Sequence, residues 1–266
     1  MTPDPELSTG PEAGGAGDGA GSTRGTGSTR GTGSTRGAGS ATAAANGGDD
    51  KPAESDANGP RLHALAIELA ALARNGLNYQ PDRYETARYE RIHSITAEIM
   101  GMLSGSNPAG FRAALAAEAG HATPKVDVRG ALVEDGRILL VQEARDGRWT
   151  LPGGWADAMD TPAEAVEREF GEEAGLAVRA AKLAAVHDGS RRNGHARSPW
   201  HIYKLFFMVE RVDDAAPRAG LDGETTDVGF FRLDDLPELS TARSTVEQLA
   251  TLLAHHRDPA RPTDFD

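Results

Sequence analysis

Residues 161–176, TPAEAVEREFGEEAGL, read as a short helix with two unlike faces side by side. Thr161, Pro162 and Glu164 supply an N-cap hydroxyl, a first-turn proline and a glutamate three residues after the cap. Gly175 supplies the stop. At about 100° per residue, with Glu169 at zero, Glu173 falls near +40° and Glu172 near −60°. Ala163, Val166, Phe170 and Ala174 cluster between about +60° and +140°. That apolar stripe has to bury itself, and a sheet is the surface it fits.

The other face carries three carboxylates and no lysine. Arg168 stands four residues from both Glu164 and Glu172, within reach of either. Ala165, at about −40°, is small and leaves room among the acids for ions. Such a face is either a solvated surface or a cage for hard cations such as Mg²⁺, which take oxygen ligands. The glycine pair just upstream, Gly153–Gly154, lets main-chain carbonyls approach the same point.

Composition narrows the partners. The chain has 266 residues, with 40 acidic and 28 basic side chains and a formal net charge of −12. That balance argues against a nucleic-acid partner and suits a polyanionic substrate only if cations come with it. There are no cysteines, so neither disulfides nor thiolate ligands enter. No apolar run is long enough to span a membrane, and the N-terminus lacks the pattern of a secretory signal. A cytoplasmic protein without membrane contact is expected.

Residues 1–58 are low-complexity, with GSTRGT repeating from Gly21; too little apolar surface exists there to offset the entropy of ordering, and a disordered tail is expected. Residues 59–122 form a helical module. Leu62, Leu65, Ile67, Leu69 and Leu72 open it, Gly76 reads as a helix stop, and Tyr89, Ile92, Ile95, Ile99, Met102 and Leu103 form a second stripe. A helical hairpin buries too little by itself, so its face meets the rest of the chain or a second copy, and a homodimer is expected.

Residues 123–257 alternate strand and helix patterns, an α/β domain, followed by a C-terminal tail, 258–266. KVDVRGALVEDGRILLVQE reads as a β-hairpin about Asp135–Gly136. SRRNGHARSP reads as an exposed loop between two strands. Arg191, Arg192 and His195 in it are candidate phosphate-binding residues, with solvated loop positions as the plain alternative. His187 and His201 lie in strand-like runs and read as structural.

Gly154, five residues, Asp160, seven residues, Arg168-Glu169-Phe170, one residue, Glu172-Glu173, one residue, Gly175-Leu176: this spacing resembles the Nudix box, with Asp160 where that family usually has Glu. The wider stretch from about residue 62 to 256 resembles a Nudix subgroup with an N-terminal helical module, which includes ADP-ribose pyrophosphatases and enzymes of CDP-choline and CDP-ethanolamine. The resemblance implies an α/β/α sandwich and a hydrolase of the pyrophosphate bond in nucleoside diphosphates linked to another group. It further implies Mg²⁺ or Mn²⁺ as cofactor and dimerisation through the module. By position, Glu169, Glu173 and Glu172 match the metal ligands, Gly153 the main-chain ligand and Arg168 the orienting arginine. Glu172, Glu224 and Arg168 are the catalytic candidates. Glu224 stands six residues before Phe230, where related enzymes place a metal ligand or base; an ordinary loop carboxylate is the alternative. A non-catalytic nucleotide sensor, or an enzyme of nucleoside triphosphates or RNA ends, are the competing readings.

Overall fold

A computed structural model describes residues 58–193, 198–219 and 223–266. The low-complexity repeats and His195 lie outside those residues.

Among the described residues three helices come first: α1 (Gly59–Asn78), α2 (Arg83–Ser104) and α3 (Pro108–Ala117). Asp82 caps α2 through the N–H groups of Tyr84 and Glu85, and Glu85 returns a bond to the cap. Gly76 is not a stop; α1 runs two residues past it. A Cβ there would stand 2.2 Å from the ring of Tyr89, so glycine lets α2 cross close against α1. Ala66, Ile67 and Met100 form the small core of the module. The leucines of α1 face outward instead: Leu62, Leu65, Leu69 and Leu72 are 46%, 36%, 37% and 60% exposed, and Met102 on α2 is 77% exposed.

Eight strands and three further helices follow among the described residues: β1 (Lys125–Ala131), β2 (Val133–Glu134), β3 (Arg137–Glu143), β4 (Trp149–Thr150), α4 (Pro162–Ala174), β5 (Val178–Asp188), α5 (Gly189–Arg192), β6 (Ile202–Arg211), β7 (Thr225–Phe231), α6 (Val246–Arg257) and β8 (Asp264–Phe265). One sheet has the order β1-β6-β5-β8, with β1 parallel to β6 and β5 antiparallel to it. The other joins β2, β3 and β4, with β7 on β3. The hairpin turn is where the sequence puts it: Asp135 and Gly136 both have positive φ, and Val133 pairs with Ile138. The hairpin is shorter than its sequence pattern, because β1 leaves β3 and pairs with β6, some 75 residues on in the chain by the register Lys125↔Ile202. SRR is not loop but the short helix α5.

Successive strand side chains point to opposite faces. Leu139 and Val141 join Val166, Phe170 and Ala174 of α4 in one core; Ile138 and Leu140 join Leu249, Leu252 and Leu253 of α6 in a second. Sheet between two helix layers makes an α/β/α sandwich. Ala165 is fully buried in the α4 core and opens no space for ions.

The seat of α4 depends on Gly130 in β1. A Cβ there would lie 2.3 Å from Phe170 Cε2 and 2.9 Å from Val166 Cγ2. Gly130→Ala is expected to destabilise the fold by about 1–3 kcal/mol through overpacking. Denaturant unfolding measures it, and an unchanged midpoint would show that the Phe170 ring has room to move.

Candidate active site

The box helix is built as its sequence dictates. Thr161 Oγ1 accepts from the Glu164 N–H at 3.2 Å, and Glu164 Oε2 accepts from the Thr161 N–H at 2.9 Å. Gly175 ends the helix in the left-handed conformation, φ 64°. Glu164 is therefore spent on the cap and leaves Arg168 to other acids. Arg168 Nη1 lies 2.8 Å from Glu172 Oε2 and 3.2 Å from Glu169 Oε1, while its Nε reaches Asp160 Oδ2 at 3.3 Å. The shorter side chain of Asp160 still reaches the arginine.

The three box glutamates divide. Glu172 stays half-exposed and turned to Arg168. Glu169 and Glu173 are buried, 9% and 4% exposed, and face the glycine pair. The Gly153 N–H donates to Glu173 Oε2 at 2.9 Å. A Cβ on Gly154 would stand 2.9 Å from Glu169 Oε1, so any other residue would displace that carboxylate. Gly153 has φ 140°, and a Cβ on it would meet the Val128 carbonyl oxygen at 2.0 Å. Glycine is required there on both counts. The segment is stitched to β1 by Val128 N–H to the Gly154 carbonyl and Gly130 N–H to the Pro152 carbonyl.

Burial dominates the electrostatics. It pushes the Glu173 carboxyl up to about 8; Glu169 and Glu143 add to the rise, while Arg129 and the Gly153 hydrogen bond resist it. Glu169 is raised for the same first reason, against the pull of Arg168 and Arg129. Burial also raises Glu143, which Arg243 Nε contacts at 2.9 Å and which feels the charge of Glu224. Glu224 is exposed beside Thr225, whose hydroxyl donates to the Glu173 carbonyl at 2.9 Å.

Behind the acids lies a buried ionic trio that sequence reading passed over. Arg129 Nε and Nη2 bind Asp127 at 2.9 and 2.8 Å, and its Nη1 donates to the Leu151 carbonyl at 3.1 Å. Lys204 Nζ reaches the same carboxylate at 3.3 Å. Burial opposes all three charges. Arg129 and Lys204 nevertheless hold Asp127 below its ordinary value, whereas burial brings Lys204 down to about 8. In the strand patterns these residues occupy the polar alternate positions and look like a wet face. The α6 layer covers that face.

The loop candidates are dispersed. Arg191 is exposed and pairs with Asp188 at 3.2 Å, and Arg192 is tied to Asp266 at 2.7 Å. His187 is buried against Asp264 at 3.0 Å.

Among the described residues no three His, Asp or Glu side chains form a ready-made cation cage. The donor set still fits a hard cation. Mg²⁺ keeps several waters and is commonly held by one or two carboxylates plus substrate phosphates. Two buried, mutually repelling carboxylates supply that, and they need either protons or a cation for compensation.

A Nudix-domain family model matches residues 123–252, and one described as a UDP-X-like, N-terminal oligomerisation domain matches residues 60–114. A Bacillus subtilis protein provisionally named an ADP-ribose pyrophosphatase is 37% identical over 201 residues, covering 76% of this chain and 95% of its own. A Methanocaldococcus jannaschii ADP-ribose pyrophosphatase is 31% identical over 120 residues, covering 44% of this chain and 67% of its own. A solved structure of an ADP-ribose pyrophosphatase from Streptococcus suis is 39% identical, covers 54% of this chain and 100% of its own, and superposes with a TM-score of 0.49.

The raised carboxyl of Glu173 makes a stability prediction for the protein without divalent cations. Its folded value of about 8 lies above the ordinary glutamate value of 4.5, so the folded state holds the extra proton between those limits. Stability therefore falls as pH rises across that window. Glu173→Gln keeps an acceptor for Gly153 and removes the charge, so its melting temperature should gain on the parent from pH 5 to pH 8. A constant difference across that range would show that Glu173 is not buried as a charge.

Proposed function

The chain belongs to the Nudix family of hydrolases, and we propose that it hydrolyses the diphosphate linkage of a nucleoside diphosphate joined to a second group. ADP-ribose is the first choice, followed by CDP-choline and CDP-ethanolamine. The observation that carries this reading is the buried Glu169–Glu173 pair, aimed at Gly153–Gly154 on a helix that arginine holds in register. The name of the Bacillus relative, similar along nearly its whole length, favours ADP-ribose.

Glu169 and Glu173 would hold a divalent cation, Mg²⁺ or Mn²⁺, with Glu172 and the Gly153 carbonyl as further ligands. Such a cation neutralises phosphoryl oxygens and lowers the pKa of water. Arg168 keeps Glu172 from swinging into solvent, at 2.8 Å. Glu224, exposed beside the acid cluster, takes the proton of the attacking water. The water oxygen bonds to one phosphorus, the bridging P–O bond breaks, and two phosphomonoesters leave. All three box glutamates and the arginine are present, which favours an enzyme over a nucleotide sensor.

The proposed assembly is a homodimer through α1. Leu62, Leu65, Leu69 and Leu72 recur at the a and d spacing of a helix-pairing seam and are exposed in the single chain. No described helix is long and apolar enough to cross a membrane.

Two experiments check this. Products should be identified after incubation with ADP-ribose, CDP-choline, CDP-ethanolamine, a UDP-sugar and nucleoside triphosphates, with and without Mg²⁺. AMP and ribose 5-phosphate from ADP-ribose, formed only with metal, are expected. Glu173→Gln should slow that turnover roughly a hundredfold or more, since even groups behind a metal ligand cost up to that. Retention of most activity would remove Glu173 from the site. In sedimentation, Leu65→Glu with Leu69→Glu should turn a dimer into a monomer; a monomeric parent protein would refute the seam.

A further inference from the structure

A cleft of about 720 Å³ opens between α1 and the start of β6, away from the box carboxylates. Its volume is that of a small-molecule site, and such sites favour the junction of two substructures. On one side α1 presents Pro60, Ala64, Ile67, Ala71 and Arg74. On the other stand Asp188, Arg191, Trp200 and His201. Around the helix these α1 residues centre about 160° from the exposed leucines, at 100° per residue. Pairing through the leucines therefore leaves the cleft open.

The walls are fixed by bonds that serve no catalytic purpose. His63 Nε2 lies 2.9 Å from the Ser198 carbonyl, joining α1 to the segment before β6. Arg74 donates to the carbonyls of Ala119, Gly120 and His121, holding the linker beneath. Asp188 Oδ2 receives both Arg191 Nε and His201 Nε2 at 3.2 Å. Asp266 at the chain end accepts from the Asp188 N–H at 2.6 Å and pins Arg192. The Trp200 ring is half-buried with Lys125 Nζ 5.3 Å from its centroid.

We propose that this cleft receives the nucleoside end of the diphosphate substrate, with the base against Trp200. This rests on the hydrolase reading above. The chemistry matches in parts: an indole beside apolar helix residues suits a planar base, and the Asp188–His201 pair suits ribose hydroxyls. Arg61 and Arg191 at the rim suit the adjoining phosphate. The reach also matches. Asp188 pairs with Tyr203, Tyr203 with Val126, and the Val126 carbonyl accepts the Ala156 N–H. Three strand spacings of about 4.8 Å place the cleft wall roughly 15 Å from Ala156, two residues past Gly154. An extended nucleoside diphosphate spans such a gap.

The test pairs kinetics with direct binding. Trp200→Ala and Arg191→Ala are assayed on ADP-ribose, and AMP is titrated calorimetrically into each without metal. Stacking on an aromatic ring supports about a tenfold effect. KM should rise about tenfold in Trp200→Ala, with the smaller part of the loss in kcat. AMP affinity should fall in parallel, and Trp200→Phe should recover both. Turnover with KM and AMP affinity unchanged in Trp200→Ala and Arg191→Ala overturns the cleft and leaves the hydrolase reading intact. Absence of turnover on every nucleoside diphosphate derivative overturns the hydrolase reading. AMP binding that depends on Trp200 then upholds the cleft as a nucleotide site, and AMP binding indifferent to Trp200 overturns it.

Discussion

The hydrogen bond from the Gly153 amide to Glu173 is the point on which the site turns. It holds a carboxylate inside the protein, where burial penalises its charge. The donor is presented only because Gly153 takes a backbone conformation, φ 140°, that side chains forbid. Arg129 secures that segment by gripping the Leu151 carbonyl two residues earlier, while Asp127, which Lys204 also contacts, keeps Arg129 in place. Positive charge thus sits behind the acids, near enough to restrain them without neutralising the pair. The fold carries a local electrostatic deficit that a proton or a divalent cation relieves.

What the sequence disclosed and what it hid divide by range. The cap and stop of α4 depend on residues within four positions of one another and are found as read, whereas Ala165, read into the acidic face, is buried in the core. The Asp135–Gly136 turn is equally local. The partner of β1 is not local: Lys125 meets Ile202, and nothing in either segment announces the other. Asp127, Arg129 and Lys204 were hidden for the same reason. A polar alternate position looks the same in sequence whether it meets water or, as here, a buried counter-charge. Gly76 shows a further ambiguity, since glycine ends helices and also lets them touch; only the Tyr89 ring, brought across by α2, decides which.

Helix α1 presents three distinct faces. On α1, Ala66, Ala70 and Ala73 pack inward, Leu62, Leu65, Leu69 and Leu72 face solvent, and the side opposite those leucines, with Ala64, Ile67 and Ala71, closes a cleft with the catalytic domain. A helix amphipathic in three directions explains why its apolar count exceeds what the module core can hold. It also connects the proposed assembly to the site: the helix that carries the exposed leucines forms one wall of the cleft.

Cation binding by the buried acids can be followed through the protons it displaces. Glu173, with its carboxyl near 8, is mostly protonated at neutral pH and must lose that proton to serve as a ligand. Calorimetric titration of Mn²⁺ into the protein, repeated in buffers of different ionisation enthalpy, counts those protons. We expect about one proton released per chain at pH 7, falling toward none near pH 9, and none at either pH in Glu173→Gln. Binding with no proton release at pH 7, or identical binding by Glu173→Gln, would place the cation elsewhere.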